Sequence, residues 1–305
     1  MITFPRYYKP GCLITISGLV IDAAIAAALG IPAPRVVFAI KRSMTPTPDT
    51  CSLTVYGLAP ERATAMLTLF AEIGRAPMTL AIGYDGITGL AFTGDIRSMR
   101  LDRSQLDHAL VMTADDGGDA IADAVLPAEF VSTAGASARR QITAAVLVMS
   151  AEIAKNGRPP IVEHPSVAAA VAGTSVAAST LIYTAVRVGT ASDLLNEAAR
   201  LLGVRWWLRD GMLFMAARGI PTDHRAVLLP RAHWLDTPSE DAEGLMHVKT
   251  FADPNITPGR MIAIQGRLSI GEVDWLRVET TDVAGDTEGS TPWSTTCVCR
   301  RLVGA

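Results

Sequence analysis

Apolar and polar residues alternate through the first third of the chain, with the period of strands. Leu13-Ile14-Thr15-Ile16 alternates and meets Gly18, and Arg35 to Ile40 is a short apolar run ending in Lys41-Arg42. After a proline-rich turn from Met44 to Asp49, Cys51 to Tyr56 alternates with period two, as half-buried strands do. Leu58 to Gly74 breaks the pattern and predicts a helix. Pro60 suits its first position, Met66, Leu67, Phe70 and Ile73 share a face, and Gly74 can stop it. Strands resume at Met78 to Ile82, turn at Tyr84-Asp85-Gly86, and continue through Leu90 to Thr93 and His108 to Ala114.

The middle of the chain changes period. Ser137 to Lys155 is amphipathic, with Ile142, Val146 and Met149 on one stripe, and Asn156-Gly157 closes it. Pro159-Pro160 and Pro165 make an extended connection. Thr190 to Asp193 has capping-box spacing and opens a helix that runs through Leu202 to Gly203. Asp210-Gly211 between the apolar runs Val204–Leu208 and Met212–Ala216 predicts a hairpin. Beyond an acidic loop, Thr237 to Gly244, the strand pattern returns. It covers Leu245–Phe251, Met261–Gln265, Asp274–Thr280 and, past a polar turn from Gly285 to Pro292, Trp293–Leu302.

Composition sharpens this picture. Only 19% of residues are charged while 49% are hydrophobic and 6% aromatic, so the apolar content is largely Ala, Val, Leu and Ile. A lone soluble chain of that kind would expose much apolar surface, which points to a subunit buried against copies and neighbours. The net charge of −3 argues against a nucleic-acid-binding module, which needs clustered Lys and Arg. Cys12, Cys51, Cys297 and Cys299 have no metal-site spacing and read as buried thiols; Cys297 and Cys299 would share one face of a strand. The apolar stretch Gly11–Pro34 is interrupted by Ser17-Gly18 and Asp22, unlike a signal peptide. The uncharged stretch Pro165–Val186 is rich in Ala, Ser, Thr and Gly, weakly hydrophobic for a bilayer span. Both are expected to be buried in an assembly.

No motif carries catalysis. His108, His164, His224, His233 and His247 are scattered, without ligand spacing. Asp115-Asp116-Gly117-Gly118-Asp119 lacks the glutamate and spacing of a calcium loop and reads as a polar turn after a strand. Gly173-Thr174-Ser175-Val176-Ala177 misses the second glycine of a nucleophile elbow. No carboxylate pair stands out for glycoside hydrolysis. Trp206-Trp207 could stack on sugars, but a tryptophan packed under its own sheet is the preferred reading. No catalytic, cofactor or metal residue is assigned.

The order of several segments resembles the baseplate hub family of phage tails and related injection machines. Cys51 to Leu58 looks like the family strand that ends in an aromatic residue and a loop leucine, with Asp49 and Gly57 standing where members commonly have Asn. Ile82-Gly83-Tyr84, Phe92-Thr93-Gly94-Asp95-Ile96 and Asp115 to Ala120, with Asp116 and Gly117, follow in family order. Leu194 to Gly203, Trp206 and Asp210 to Leu213 resemble the helix and hairpin of the family's second domain. Asp253 to Gly259 matches a P-x-I-x-P-G turn through Pro258 and Gly259. Gly285-Asp286-Thr287 with Trp293-Ser294-Thr295 matches the closing G-D-T…W-x-T. Val20–Gly30 and Pro165–Val186 have no counterpart.

The resemblance implies an α+β fold: two tail-tube-like antiparallel β-barrel domains, residues 1–119 and 226–305, flanking a mixed α/β region, 120–225, that ends in a hairpin. It implies a non-enzymatic subunit of a virion tail baseplate, made in the host cytoplasm and without a cofactor. Three chains would present six barrels to a hexameric tube and three-fold symmetry to a spike. The implied partners are two further copies, the tail tube or distal tube protein, a spike, the tape-measure protein and neighbouring baseplate proteins. DNA would pass through the channel without specific binding, and no segment would span a membrane. Because the chain stops at Ala305, soon after the closing strand, the spike is expected as a separate polypeptide. The pairs Lys41-Arg42, Arg139-Arg140 and Arg300-Arg301 are expected to meet the acidic loop Glu240–Glu243 and similar segments of neighbouring chains. A tail-tip wall-degrading or carbohydrate-binding component is the other function class in view.

Overall fold

The strand-patterned ends of the chain join in one sheet, although about a hundred residues of mostly helical sequence separate them. The computed structural model describes residues 10–22, 33–84, 87–103, 108–126, 138–173, 189–265, 273–289 and 292–302. The chain divides into two compact units. The first combines residues 1–42, 50–115 and 223–305; the second combines 43–49 and 116–222.

In the first unit, strands β1 (Pro10–Ile16), β2 (Leu19–Asp22), β3 (Arg35–Ser43), β4 (Asp49–Tyr56), β5 (Ala76–Tyr84), β6 (Ile87–Asp102) and β7 (Ala109–Asp116) form the part built from the N-terminal end. The C-terminal end supplies β11 (Asp223–Leu229), β12 (Ser239–Glu240), β13 (Leu245–Phe251), β14 (Arg260–Gln265), β15 (Val273–Asp286) and β16 (Ser294–Arg301). The pairing order is β12-β13-β16-β15-β3-β4-β7-β6-β5-β1-β2, with β14 beside β15 and β11 beside β14. The seam between the two ends is β15 against β3. Alternation sends one face of each strand inward. Val36, Phe38 and Ile40 meet Leu53, Val55, Leu80, Ile82 and Met112 in one core, while Val248, Ile262, Ile264, Leu276 and Val278 form another. Helix α1 (Pro60–Ile73) has proline in its first turn and ends at Gly74, whose N–H reaches the Phe70 carbonyl. It buries Ala63 and Met66, with Leu67 and Phe70 packed against the core, but Ile73, expected on the buried face, is exposed as the last residue of the helix.

Among the bulges of the sheet, two place a charged residue as the extra one. Arg97 bulges between Ile96 and Ser98 of β6 and pairs with Asp115 on β7. Glu279 bulges between Val278 and Thr280 of β15, which aims its carboxylate at Arg277 and Arg300. A bulge re-aims a side chain that strict alternation would send to the other face. The expected interchain role of the basic pairs is corrected here. Arg301 meets Glu240 and Asp274, Arg300 meets Glu279 and Arg139 meets Glu163 within the chain, while Arg42 is buried. Residues adjacent in sequence gain these partners by cross-strand register and helix packing, which no local charge count reveals.

The second unit packs α2 (Gly118–Asp123), α3 (Ala138–Ala154), α4 (Pro165–Ala172) and α5 (Ala191–Leu202) against a small sheet of β8 (Val162–Glu163), β9 (Val204–Arg209) and β10 (Met212–Ala217). The capping box forms as the spacing predicts: Asp193 N–H donates to Thr190 Oγ1 at 3.3 Å, and Thr190 N–H donates to the Asp193 carboxylate at 2.9 Å. The hairpin turns at Asp210-Gly211, and its faces divide the apolar residues. Trp206, Leu208, Leu213 and Met215 face the helices, while Trp207 and Phe214 lie with Met44. The turns at 85–86 and 290–291, the stretch 23–30, Ser175 and residues 174–186 lie outside the described residues. Among those described, no helix is long and apolar enough to cross a membrane.

Gly94 provides a test of the sheet. A Cβ there would meet the Asp115 carbonyl and, at 2.7 Å, the Phe92 ring. Gly94→Ala is expected to destabilise the protein by about 1–3 kcal/mol through overpacking, read as a lower urea midpoint; an unchanged midpoint would show that β6 and β7 do not approach so closely.

Candidate functional site

The residues that carry the family pattern meet largely where the two ends of the chain join. Gly285 precedes Asp286 at the end of β15, and a Cβ on it would lie 2.6 Å from Phe38 and 2.7 Å from Trp293. Only a glycine lets both rings close over the strand. Trp293, 2% exposed, crosses Phe38 edge to face at 5.1 Å, and its indole N–H donates to the Asp286 carbonyl at 2.9 Å. The Asp286 carboxylate accepts two hydrogen bonds from Arg35, at 3.0 and 2.7 Å. The Arg35 hydrogen bond holds that carboxyl below the usual carboxylate range. Thr287 completes the join: its hydroxyl accepts from Val36 N–H at 2.8 Å and its N–H donates to Val36 O at 3.0 Å.

Tyr84 and Thr295 attach the neighbouring loop. The Tyr84 hydroxyl donates to the Trp293 carbonyl at 3.3 Å and accepts from Ala252 N–H at 3.2 Å. Fully buried Thr295 accepts from Asp253 N–H at 3.2 Å. Pro258 and Gly259 sit in a reverse turn closed by Arg260 N–H to Thr257 O, and Gly259 N–H donates to Val278 O of β15. Gly83, beside Tyr84 on β5, faces Gly11 of β1 and Thr88 of β6. Gly94 and buried Asp95 lie on β6 opposite Asp115.

Asp116 and Gly117 belong to the second unit, where the expected polar turn is corrected. Asp116 to Ala120 are buried, and α2 starts at Gly118. Asp116 accepts from Arg158 at 2.6 Å and from the N–H of Asp210. Both side chains are almost sealed, at 3% and 4% exposure. Burial pushes the Asp116 carboxyl up, against the opposing pull of Arg158. Asp119 lies beside Asn156 of the same turn. The carboxylates of a sequence that looked solvated therefore hold the turn after α3 and the tip of the hairpin. The sequence signal, a run of Asp and Gly, is the same for an exposed turn and a buried one.

Nothing at this join is arranged for bond-making chemistry. Its hydroxyls and carboxylates are engaged in backbone and Arg35 contacts, and among the described residues no three His, Cys, Asp or Glu side chains converge to hold a metal. The four cysteines are buried and free, and burial pushes Cys12 and Cys51 up to about 12. A shallow concavity of about 750 Å³ lies along the outer face of α1, lined by Thr64, Leu69 and the acids Glu61 and Glu72. Trp206 and Trp207, at 1% and 0% exposure, have no face to offer a sugar. Sequence reasoning missed Arg35, Phe38 and Arg158, whose partners lie far along the chain. Removing the counter-charge is informative. Arg158→Leu is expected to cost about 3–5 kcal/mol because Asp116 stays buried without it. Adding Asp116→Asn should recover most of the loss in chemical unfolding; equal losses in the two variants would disprove a charge origin.

No protein-family model matches the sequence, and no curated protein matches it. Solved structures do. The 43 kDa tail protein of prophage MuSo2 from Shewanella oneidensis matches with a TM-score of 0.59 at 9% identity, covering 96% of this chain and 97% of that one. The tail protein from Neisseria meningitidis MC58 matches with a TM-score of 0.54 at 11% identity, covering 97% and 98%. At such identities the likeness is one of fold, and the agreement with the resemblance read from the sequence is at that level. From end to end, the chain has the fold of phage tail proteins.

Proposed function

We propose that this chain is a structural baseplate hub subunit of a phage or phage-like tail. Three copies form a pseudo-hexameric ring that joins the hexameric tail tube to a trimeric spike and encloses the DNA channel. Residues 1–119 and 226–305 supply two tube-type barrels per chain, and residues 120–225 the part between them. The observation that carries this reading is the end-to-end likeness to two tail proteins, in which both β-rich ends and the intervening unit take part. Two apolar cores within one continuous sheet support two barrel-like halves per chain. The motif residues act as joints, which fits a scaffold and gives a catalyst nothing to use. Tube or distal tube protein, spike, tape-measure protein and neighbouring baseplate proteins are the partners this role needs, in the virion. The wall-degrading or sugar-binding alternative loses the support of Trp206 and Trp207, which are buried.

Copy number tests the ring directly. Quantitative mass measurement of assembled tails should give three copies per particle, and six would sink the trimer. A second expectation concerns DNA. Three chains of net charge −3 carry about nine negative charges together, so the channel should let phosphates pass hydrated. Purified protein is expected to show no DNA retardation at low salt; submicromolar binding that falls steeply with salt would reverse this part of the reading.

A further inference from the structure

Helix α4 begins beside the small sheet of the second unit, and its first residues are hooked to β10. His164 stands at the N-cap, where its backbone N–H donates to the Leu213 carbonyl at 2.9 Å and its ring Nδ1 accepts from Ser166 N–H at 3.2 Å. The Ser166 hydroxyl accepts from Met215 N–H at 3.2 Å and lies 3.0 Å from the same Nδ1, to which it can give its own proton. An imidazole nitrogen that accepts in this way carries no hydrogen, so His164 is neutral with its proton on Nε2. Its ring stacks on Phe214 of β10, with centroids 4.3 Å apart. The neighbouring elements bring charge of both signs. Arg209 of β9 lies over the same Phe214 ring at 4.5 Å. Glu163, the preceding residue on β8, has its carboxylate held by Arg139 of α3 at 2.5 Å. Neither β10 nor α4 carries a titratable side chain.

We propose that His164 is a pH-sensitive latch: neutral, it holds the start of α4 on β10, and protonated, it lets go. A proton on Nδ1 removes the acceptor that Ser166 N–H uses, and Ser166 is only 8% exposed, so water replaces that bond poorly. It also puts a positive charge at the N-terminal end of a helix, where unpaired N–H groups already carry partial positive charge, and a second cation beside Arg209. Glu163 and the Phe214 ring act in the opposite sense, since both favour a cation, but the Glu163 charge is already matched by Arg139. The folded contact therefore selects the neutral ring. It is complete above the ordinary histidine range, about pH 6.5, and is lost as pH falls and the ring takes up a proton. Release uncovers Val167, fully buried in the core of the second unit, at the start of the uncharged stretch Pro165–Val186. The latch does not depend on the ring of three copies.

Hydrogen exchange of the full-length chain, corrected for the intrinsic effect of pH, tests this at about pH 8 and about pH 5. The Ser166 and Met215 amides are expected to lose at least about tenfold in protection at the lower pH, while those of buried Leu195 and Ala198 in α5 keep theirs. His164→Asn supplies an N-cap acceptor that does not titrate, and it should leave both amides equally protected at the two pH values. Unchanged protection in the wild type, an equal loss in α5, or the same loss in His164→Asn would each overturn the latch. Where that variant folds poorly, nitrogen NMR of the wild-type imidazole decides: Nδ1 should be unprotonated at about pH 8, and a proton on it there would overturn the proposal.

Discussion

The pairing of β15 with β3, sealed by Trp293, is the contact on which the first unit depends. Arg35 and Asp286 are 251 residues apart, yet they share two hydrogen bonds, and Trp293 fills a core otherwise built mostly by the N-terminal strands. Closing so long a loop costs little more than closing a short one, because loop entropy grows only with the logarithm of length. A whole second unit can therefore be inserted between the two ends. What the closure needs is a join strong enough to select one register, and the chain supplies it with a ring–ring contact, a bidentate ion pair and two hydrogen bonds between Thr287 and the Val36 backbone. Gly285 is part of the same device, since the space its missing side chain would occupy is taken by Phe38 and Trp293.

Charge is scarce in this protein and is used mostly to fix geometry. Arg97 and Glu279 occupy bulges, where an extra residue turns a charged side chain toward an opposite charge on the neighbouring strand. Arg277 is 1% exposed and satisfied largely by Glu279. Asp116 and Arg158 form the counterpart in the second unit. Such buried pairs add little net stability, since desolvation offsets much of the attraction, but either partner alone is costly. They make alternative registers of strand and hairpin unfavourable, which matters for a chain whose apolar residues are mostly interchangeable aliphatics.

The same economy bears on function. The residues that resemble a tail-hub pattern are spent on turns, joins and strand crossings, where their hydrogen-bonding groups are already taken. A site for bond-making needs groups held in place with a free face toward a substrate, and the join between the chain ends offers none.

Local patterns alone determined much of the secondary structure. Alternation located β4, β13 and the hairpin of β9 and β10, proline and glycine bounded α1, and Thr190 with Asp193 opened α5. Each of these depends on neighbours within a turn or a strand, where period and capping chemistry act. The strands β2 and β11 escaped notice because short segments with mixed exposure carry no clear period. Tertiary structure alone decided that Trp206 and Trp207 are covered, that Asp116 is buried against Arg158, that Arg301 turns to Glu240 in its own chain, and that the two β-rich ends share a sheet. Those outcomes depend on groups tens to hundreds of residues apart, and a period of two or of 3.6 says which face of an element is apolar but not what will lie against it.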